Sequence, residues 1–468
     1  MISAHAAAVR AGEVSAVEYV KRVLAFCEEV NEEKHYFTVI SRSLALKQAR
    51  AVDALVKQGE DPGLLAGVVV SVKDNLCVKG VESTACSRIL QGYEPLFSAT
   101  AVQRVVDQGA IVIGKTSMDE FGFGTFNQNT GLGYPAPTHP LDSSRVTGGS
   151  SGGCAGLTAA LKEFAHLSLA ESTGGSIECP AAYCGVYGAC PTYGLVSRNG
   201  LISYANSLDK VGVMACSAAD ARLGMQVISG FDAADSTSLQ VTKSSQNKEV
   251  RRVGVLREAL ALAESGVREQ TEVFLKRLEE QGCELVDVQL PVTKKFGVAA
   301  YYVLAMSEAS TNLACFSGLR YGQEASKKGL SFDAYASGVR SEHLGLEAKR
   351  RVMLGTFTRM AGYRDAYYER CLQIRSQVVD EYAAVFEDVD VLVSPTMPSV
   401  APSVSAASEL SPAQEYSMDA LTVGPNLAGV PHVSVPVGCS DDLPVGVLLC
   451  APTFFDESLF SFVKEVCE

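Results

Sequence analysis

Gly67-Val-Val-Val-Ser-Val-Lys73 is an apolar run that ends on a charge, and Asp74-Asn75 follow it directly. With the turn-forming Glu60-Asp-Pro-Gly63 ahead of it, the run reads as a buried strand. Thr100 to Asp107 then reads as a helix stopped by Gly109, and Ala110-Ile-Val-Ile113 as another strand. Strand, helix and strand in that order imply an α/β architecture with helices covering the sheet. Upstream, Ser15-Ala-Val-Glu18 has the form of a capping box, and Val20, Val23, Leu24 and Cys27 keep helical spacing after it; a second helical stretch runs from about Leu44 to Val56. Downstream, Arg251–Leu256, Gly266–Gln281 and Glu284–Leu290 form a strand, helix and strand, a βαβ-like unit. Residues 295–386 are mostly helical in pattern, and Val389–Ser394, Val433–Val437 and Val445–Leu449 read as strands returning to the sheet. No linker or repeat interrupts the chain. The expectation is a single domain over 1–468: N-terminal helices to about 60, a core over about 61–215, a βαβ-like and helical middle over about 216–386, and C-terminal strands over about 387–468.

The composition is that of a globular chain with a large core: 468 residues, 47% hydrophobic, 41 Gly, 17 Pro, no Trp and six His. Forty Lys and Arg against 53 Asp and Glu give a formal charge of −13, which argues against wrapping nucleic acid unaided, since phosphate contact needs clustered cations. A basic partner can still bring nucleic acid to it. The first ten residues lack a basic leader and apolar run, and the charge-poor stretch Ala420–Ser440 is broken by Pro425, Pro431 and Pro436. A cytoplasmic chain without membrane contact is expected, or an organellar one in a eukaryote, although no transit peptide is seen. Among the 14 Cys, the closest are Cys179, Cys184 and Cys190, with no Cys-x-x-Cys pair and no His cluster beside them. Reduced, packed thiols and no metal follow from that spacing.

Three short motifs are decoys. Gly109-Ala-Ile-Val-Ile-Gly-Lys-Thr116 fits the phosphate-loop expression, but its middle is an apolar β-type run where a loop of free N–H groups is needed. Ser207-Leu-Asp-Lys210 and Ser245-Gln-Asn-Lys248 match Ser-x-x-Lys without the Lys-Thr-Gly that accompanies it in penicillin-binding enzymes. Gly148-Gly-Ser-Ser-Gly-Gly153 satisfies Gly-x-Ser-x-Gly, with His432 late enough to complete a triad, yet a polar segment precedes it where a nucleophile elbow needs a strand.

What remains carries chemistry. Lys73 closes a buried strand, where burial disfavours the ammonium and promotes a neutral amine able to take a proton. Gly148–Gly153 holds a glycine-flanked serine pair, and Thr173-Gly-Gly-Ser-Ile177 a second glycine-flanked serine just ahead of Cys179-Pro180, which suits the first turn of a helix. Unrestricted φ at Gly174 and Gly175 would let the N–H groups of 173–176 converge on a developing oxyanion.

In this order, Val72-Lys-Asp-Asn75, Gly148–Gly153, Thr173–Ile177 and Pro180-Ala-Ala-Tyr-Cys-Gly185 resemble the amidase signature family. The resemblance implies a large central mixed β-sheet with helices on both faces, and a triad of Lys73 as base, Ser150 as a bridging cis-serine and Ser176 as nucleophile. Within the family, Gly114–Phe121, Tyr193–Arg198, Ala205–Asp209, Lys349–Phe357, Gly362–Tyr368 and Asn426–Pro431 are similar to the A subunits of aspartyl/glutamyl-tRNA amidotransferases, and the similarity spans essentially the whole chain. That implies glutamine as amide donor, with Asp419 on its α-amino group and Arg350 or Arg351 on its α-carboxylate. It also implies B and C partner subunits, ATP and magnesium used by the B subunit, no cofactor in this chain, and misacylated Glu-tRNA(Gln) or Asp-tRNA(Asn) contacted mainly through B. A stand-alone amidase on a small or fatty amide, and a scaffold subunit with a drifted triad, are the alternatives. The chain departs from the family pattern at Ser172, where Asp is usual, at Glu178, where Arg is usual, and at Cys154, where Ser is usual. An acid lost at 172 and one gained at 178 suggests a compensating exchange across the nucleophile loop.

Overall fold

The structure, a computed structural model, describes all residues except Leu132, Tyr134, 242–248, 327–328 and 468. The Ser245–Lys248 match therefore lies outside the described residues. Eleven strands form one mixed sheet: β1 (Phe37–Ile40), β2 (Val69–Lys73), β3 (Ile111–Thr116), β4 (His166–Ser172), β5 (Tyr187–Cys190), β6 (Lys210–Ala215), β7 (Arg252–Leu256), β8 (Glu284–Val288), β9 (Val391–Pro395), β10 (His432–Ser440) and β11 (Leu443–Cys450). Their order is β1-β3-β2-β4-β6-β5-β10-β11-β9-β7-β8. β2 runs parallel to β3 and β4, and β7 parallel to β8 and β9, while the other pairings are antiparallel. The antiparallel pairing of β5 with β10 is the one seam joining the first six strands to the last five.

Alternation along the strands sends side chains to two cores. Val447 and Leu449 of β11, with Val391 and Val393 of β9, pack in a core shared with the helices Ala16–Lys34, Arg42–Gln58, Thr100–Asp107 and Asp456–Cys467. Leu448, Cys450 and Leu392 point the other way, into a core shared with Pro291–Asn312, Leu346–Arg359 and Arg370–Asp388. Helices thus cover both faces, as the strand and helix alternation implies. Ser15 caps the Ala16–Lys34 helix by accepting the Glu18 N–H at 3.4 Å, but Glu18 turns outward to Lys21, so only half of the expected capping box forms.

The strand β3 continues through Gly114-Lys-Thr116, which places the phosphate-loop look-alike inside the sheet; Lys115 is buried and paired with Asp74 at 3.0 Å. β1, β4, β5 and β6 have no counterpart in the sequence reading. In β4 the reason is polarity: His166, Ser168 and Glu171 interrupt the apolar pattern, yet Ser71 Oγ lies 3.0 Å from His166 Nε2 and 2.7 Å from Ser168 Oγ, and Glu171 meets Lys73 of β2, so each finds a polar partner across the sheet. Among the described residues no helix is long and apolar enough to cross a membrane.

Candidate active site

Parallel pairing of Val72 with Leu169 sets the ends of β2 and β4 side by side. Lys73, the last residue of β2, is fully buried and donates to Ser150 Oγ at 2.9 Å, to the Glu171 carbonyl at 2.7 Å and to the Glu171 carboxylate Oε2 at 3.0 Å. Glu171 is held from three sides. Asn75 Nδ2 donates to the same Oε2 at 2.9 Å, and Thr173 Oγ1 to Oε1 at 2.7 Å. The sequence reading has Lys73 but not this carboxylate.

Ser150 follows a loop segment whose backbone gathers on Asp119. Burial pushes the Asp119 carboxyl up to about 7, while the N–H groups of Asn127 and Asn129 donate to it at 2.9 Å each. Gly149 packs on this carboxyl so closely that a Cβ would stand 2.2 Å from Asp119 Oδ2, which explains the glycine; the Gly149–Ser150 peptide is cis. The helix Gly152–Ala160 begins directly afterwards, and the Ser151 N–H donates to the Ser176 carbonyl at 3.2 Å, tying the two serine loops together.

Ser176 lies between β4 and the helix Glu178–Cys184, in the entry loop that Pro180 suggests. Neither Gly174 nor Gly175 has a positive φ. Crowding, rather than a left-handed backbone, demands glycine here: a Cβ at 174 would meet the Tyr301 ring at 2.6 Å and one at 175 Thr422 Oγ1 at 2.4 Å. Asn426 Nδ2 donates to the Gly174 carbonyl and pins the loop. Among the described residues the N–H groups of Gly174, Gly175 and Ser176 donate to no protein acceptor, so they are available to an oxyanion.

Ser176 opens on a small polar cleft whose walls include Gly122, Gly149, Tyr302, Arg351 and Asp419. Asp419 is buried and accepts the Tyr302 hydroxyl at 2.5 Å; burial raises its carboxyl to about 7 although Tyr302 and Arg351 pull the other way. Arg351 is 2% exposed and sits among the rings of Phe123, Tyr204, Tyr302 and Tyr416, with its centre 5.1 to 5.5 Å from each. Its Nε donates to Glu347 Oε1 at 2.8 Å and its Nη1 to the Tyr204 hydroxyl at 2.6 Å, leaving Nη2 without a protein acceptor among the described residues. Arg350 does not line the cleft: it is a third exposed and pairs with the other oxygen of the same Glu347 carboxylate that holds Arg351. Roomier hollows lie elsewhere, one of them between Tyr382, Phe386 and Leu459, but Lys73, Ser150 and Ser176 line none of these three.

The profile of the amidase family matches residues 18–460. The chain belongs to the amidase family. The glutamyl-tRNA(Gln) amidotransferase A subunit of Trichormus variabilis is 40% identical over 458 residues, covering 96% of this amidase and 93% of the relative; its counterpart of the same name in Methanococcoides burtonii is 43% identical over 430 residues, covering 90% and 88%. Among solved structures, the glutamyl-tRNA(Gln) amidotransferase A subunit of Thermotoga maritima superposes with a TM-score of 0.78 at 33% identity, covering 95% of this amidase and 90% of that chain. A peptide amidase from Stenotrophomonas maltophilia superposes with a TM-score of 0.82 at 27% identity, covering 99% and 96%.

The departures at 172 and 178 form one contact in this amidase. Ser172 Oγ donates to Glu178 Oε2 at 2.8 Å, as does the Ile177 N–H at 3.1 Å. Burial opposes charge on Glu178, yet the close contact with His432 and the charge of Lys210 bring its carboxyl down to about 2. Lys210 Nζ lies 3.4 Å from His432 Nδ1 and donates to the Val430 carbonyl at 3.1 Å. The pairing of His432 with Cys190 across the β5–β10 seam adds a thiol to this cluster, so Glu178, Cys190 and His432 present donor atoms within 4.8 Å of one another. Local Cys spacing could not reveal such a trio. Lys210 stands against this trio, and together they form an internal polar and ionic network beside the Ser176 loop. His432 is a partner of Glu178, consistent with a packed residue rather than a serine-elbow base.

Proposed function

We propose that this chain is the glutaminase component of a tRNA-dependent amidotransferase that makes Gln-tRNA(Gln) from Glu-tRNA(Gln), Asn-tRNA(Asn) from Asp-tRNA(Asn), or both. The observation that carries the reading is one cleft lined together by Ser176, by Arg351 with its Nη2 without a protein acceptor among the described residues, and by Asp419. A side-chain amide facing a serine while an α-carboxylate meets a guanidinium and an α-ammonium meets a carboxylate describes glutamine. The names of relatives at about 40% identity over nearly the full chain support it. A fatty amide would need a broad apolar channel, and this cleft is small and polar.

Ser176 Oγ attacks the amide carbon while its proton passes through Ser150 toward Lys73, which lies 2.9 Å from Ser150 Oγ. Thr173, Gly174, Gly175 and Ser176 form the loop whose N–H groups receive the oxyanion. Ammonia leaves, and water releases glutamate from the acyl-enzyme. On this reading the ammonia goes to a B subunit that uses ATP and magnesium on the misacylated tRNA, with a C subunit completing the assembly. The net charge of −13 suits a component that leaves tRNA contact to its partner. The test is peptide-resolved mass spectrometry of the complex after incubation with an electrophilic glutamine analogue. A stoichiometric adduct on Ser176, lost in Lys73→Ala and prevented by glutamine, is expected; labelling confined to Ser151 or a Cys, or none at all, overturns the assignment.

A further inference from the structure

We propose that Glu171 is a positioning residue that takes and returns the proton Lys73 must release during the reaction, so that the working base is the Lys73–Glu171 pair. The inference rests on the Ser176, Ser150 and Lys73 roles just given. An ammonium has three N–H groups, and Lys73 Nζ faces three acceptors: Ser150 Oγ at 2.9 Å, the Glu171 carbonyl at 2.7 Å and Glu171 Oε2 at 3.0 Å. In that form the nitrogen has no lone pair to offer Ser150. A proton must leave first. Of the three acceptors, only the carboxylate is basic enough to keep it, since a hydroxyl and an amide carbonyl are not.

The carboxylate is fixed for that task. Asn75 Nδ2 holds Oε2 at 2.9 Å and Thr173 Oγ1 holds Oε1 at 2.7 Å, while Thr173 Oγ1 also lies 3.0 Å from Asp209 Oδ1. Burial and the charge of Glu171 push the Asp209 carboxyl well above the usual carboxylate range, and Asp209 lies beyond Thr173 with no contact to Lys73 Nζ, whose acceptors are Ser150 and Glu171. Other ionisable groups near the pair are Asp119, at the start of the loop after β3, and Cys154, on the helix Gly152–Ala160, both of which feel Lys73; Arg198 acts on Asp209.

The step balances. One Lys73 N–H bond breaks as an O–H bond forms on Glu171 Oε2; Ser150 gives its proton to Lys73 and receives that of Ser176. The Ser176 Oγ–carbon bond forms, and the carbonyl π pair moves onto oxygen. Lys73 and Ser150 end as they began, and one negative charge has moved from Glu171 to the oxyanion. On collapse the proton returns by the same route to the departing nitrogen, which leaves as ammonia.

The experiment compares kcat against pH for glutamine hydrolysis by the full chain with its partner subunits, in wild type, Glu171→Gln and Glu171→Asp. In wild type the acid limb marks the pair gaining a second proton, at the carboxylate end. In Glu171→Gln the only proton to lose is that of Lys73, so the limb moves up by more than one pH unit and kcat at pH 7 falls about 10²-fold, the scale of general acid and base catalysis. Glu171→Asp keeps the wild-type limb at a reduced kcat. A Glu171→Gln profile of wild-type shape, at whatever kcat, overturns the inference and leaves Glu171 a structural anchor. Should Glu171→Gln not fold, infrared difference spectra of wild type with and without an aldehyde analogue of glutamine replace it: a new protonated-carboxyl band on forming the Ser176 adduct, displaced in frequency in Glu171→Asp, is expected, and no new band overturns the inference. If wild type forms no Ser176 adduct and hydrolyses no amide, the reading of the site itself fails, and this inference with it.

Discussion

Arg351→Met isolates what the cleft recognises. The guanidinium is held by Glu347 and the Tyr204 hydroxyl inside four aromatic rings, so its free edge is presented rigidly and out of water. Truncating one partner of a desolvated, hydrogen-bonded charge pair costs about 2 to 5 kcal/mol. With a middle figure of about 3, and about 1.4 kcal/mol for each factor of ten, binding of the glutamine α-carboxylate weakens about 100-fold. Met fills the space of the side-chain stem, and Glu347 keeps Arg350 and the Tyr416 hydroxyl as partners, so the fold is retained. The assay is steady-state ammonia release from glutamine and from butyramide, which is glutamine stripped of both α-substituents. The expected outcome is a fall of about 100-fold in kcat/KM for glutamine, carried by KM, with butyramide within a few-fold of wild type; Arg351→Lys, which keeps the charge but loses the fork, falls between. An equal fall on both substrates would refute the reasoning, because a carboxylate ligand has nothing to hold in butyramide.

Three further outcomes follow from buried charges. Burial holds the Asp419 carboxyl up to about 7, so below that pH its anion, the form that pairs with an α-ammonium, becomes scarce; KM for glutamine rises about tenfold per pH unit under pH 7, and Asp419→Asn removes the dependence. The stability effect has the opposite direction: the native state keeps a proton that the unfolded chain releases, so the Asp419 contribution is full at low pH and is lost as pH rises through about 7, which denaturant midpoints against pH in wild type and Asp419→Asn will show. Glu178→Gln leaves Lys210 and His432 without their buried counter-charge and should destabilise the chain by about 3 to 5 kcal/mol in urea unfolding; an unchanged midpoint would mean the cluster is not the ion network described here.

Much of the site was legible because its parts are local in sequence. Lys73 ends an apolar run, and both serine loops announce themselves by glycine. Arg351 over Arg350 was also within reach: Ala348, Arg351, Gly355 and Thr358 form the buried face of the helix Leu346–Arg359, and a neighbour one residue away lies about 100° around it. Glu171 was hidden for a different reason. Its meaning depends on the register of β2 with β4, and β4 itself was obscured by buried His, Ser and Glu that pair across the sheet. The Glu178, Cys190 and His432 cluster was less accessible still, since strands about 240 residues apart in sequence must pair before it exists. The alternation of strands and helices was enough for the architecture, but not for the polar strand at its centre.

The sheet order sorts the chain by task. Every strand before residue 216 lies on one side of the β5–β10 seam and every strand after residue 251 on the other. The residues proposed to break the bond, Lys73, Ser150, Ser176 and Glu171, belong to the first half, and those proposed to choose the substrate, Arg351 and Asp419 with Tyr302, to the second. Mutation can then revise appetite and reactivity separately. A drifting second half tries new amides against an unchanged reaction centre, and such a chain can acquire a new diet without passing through an inert ancestor.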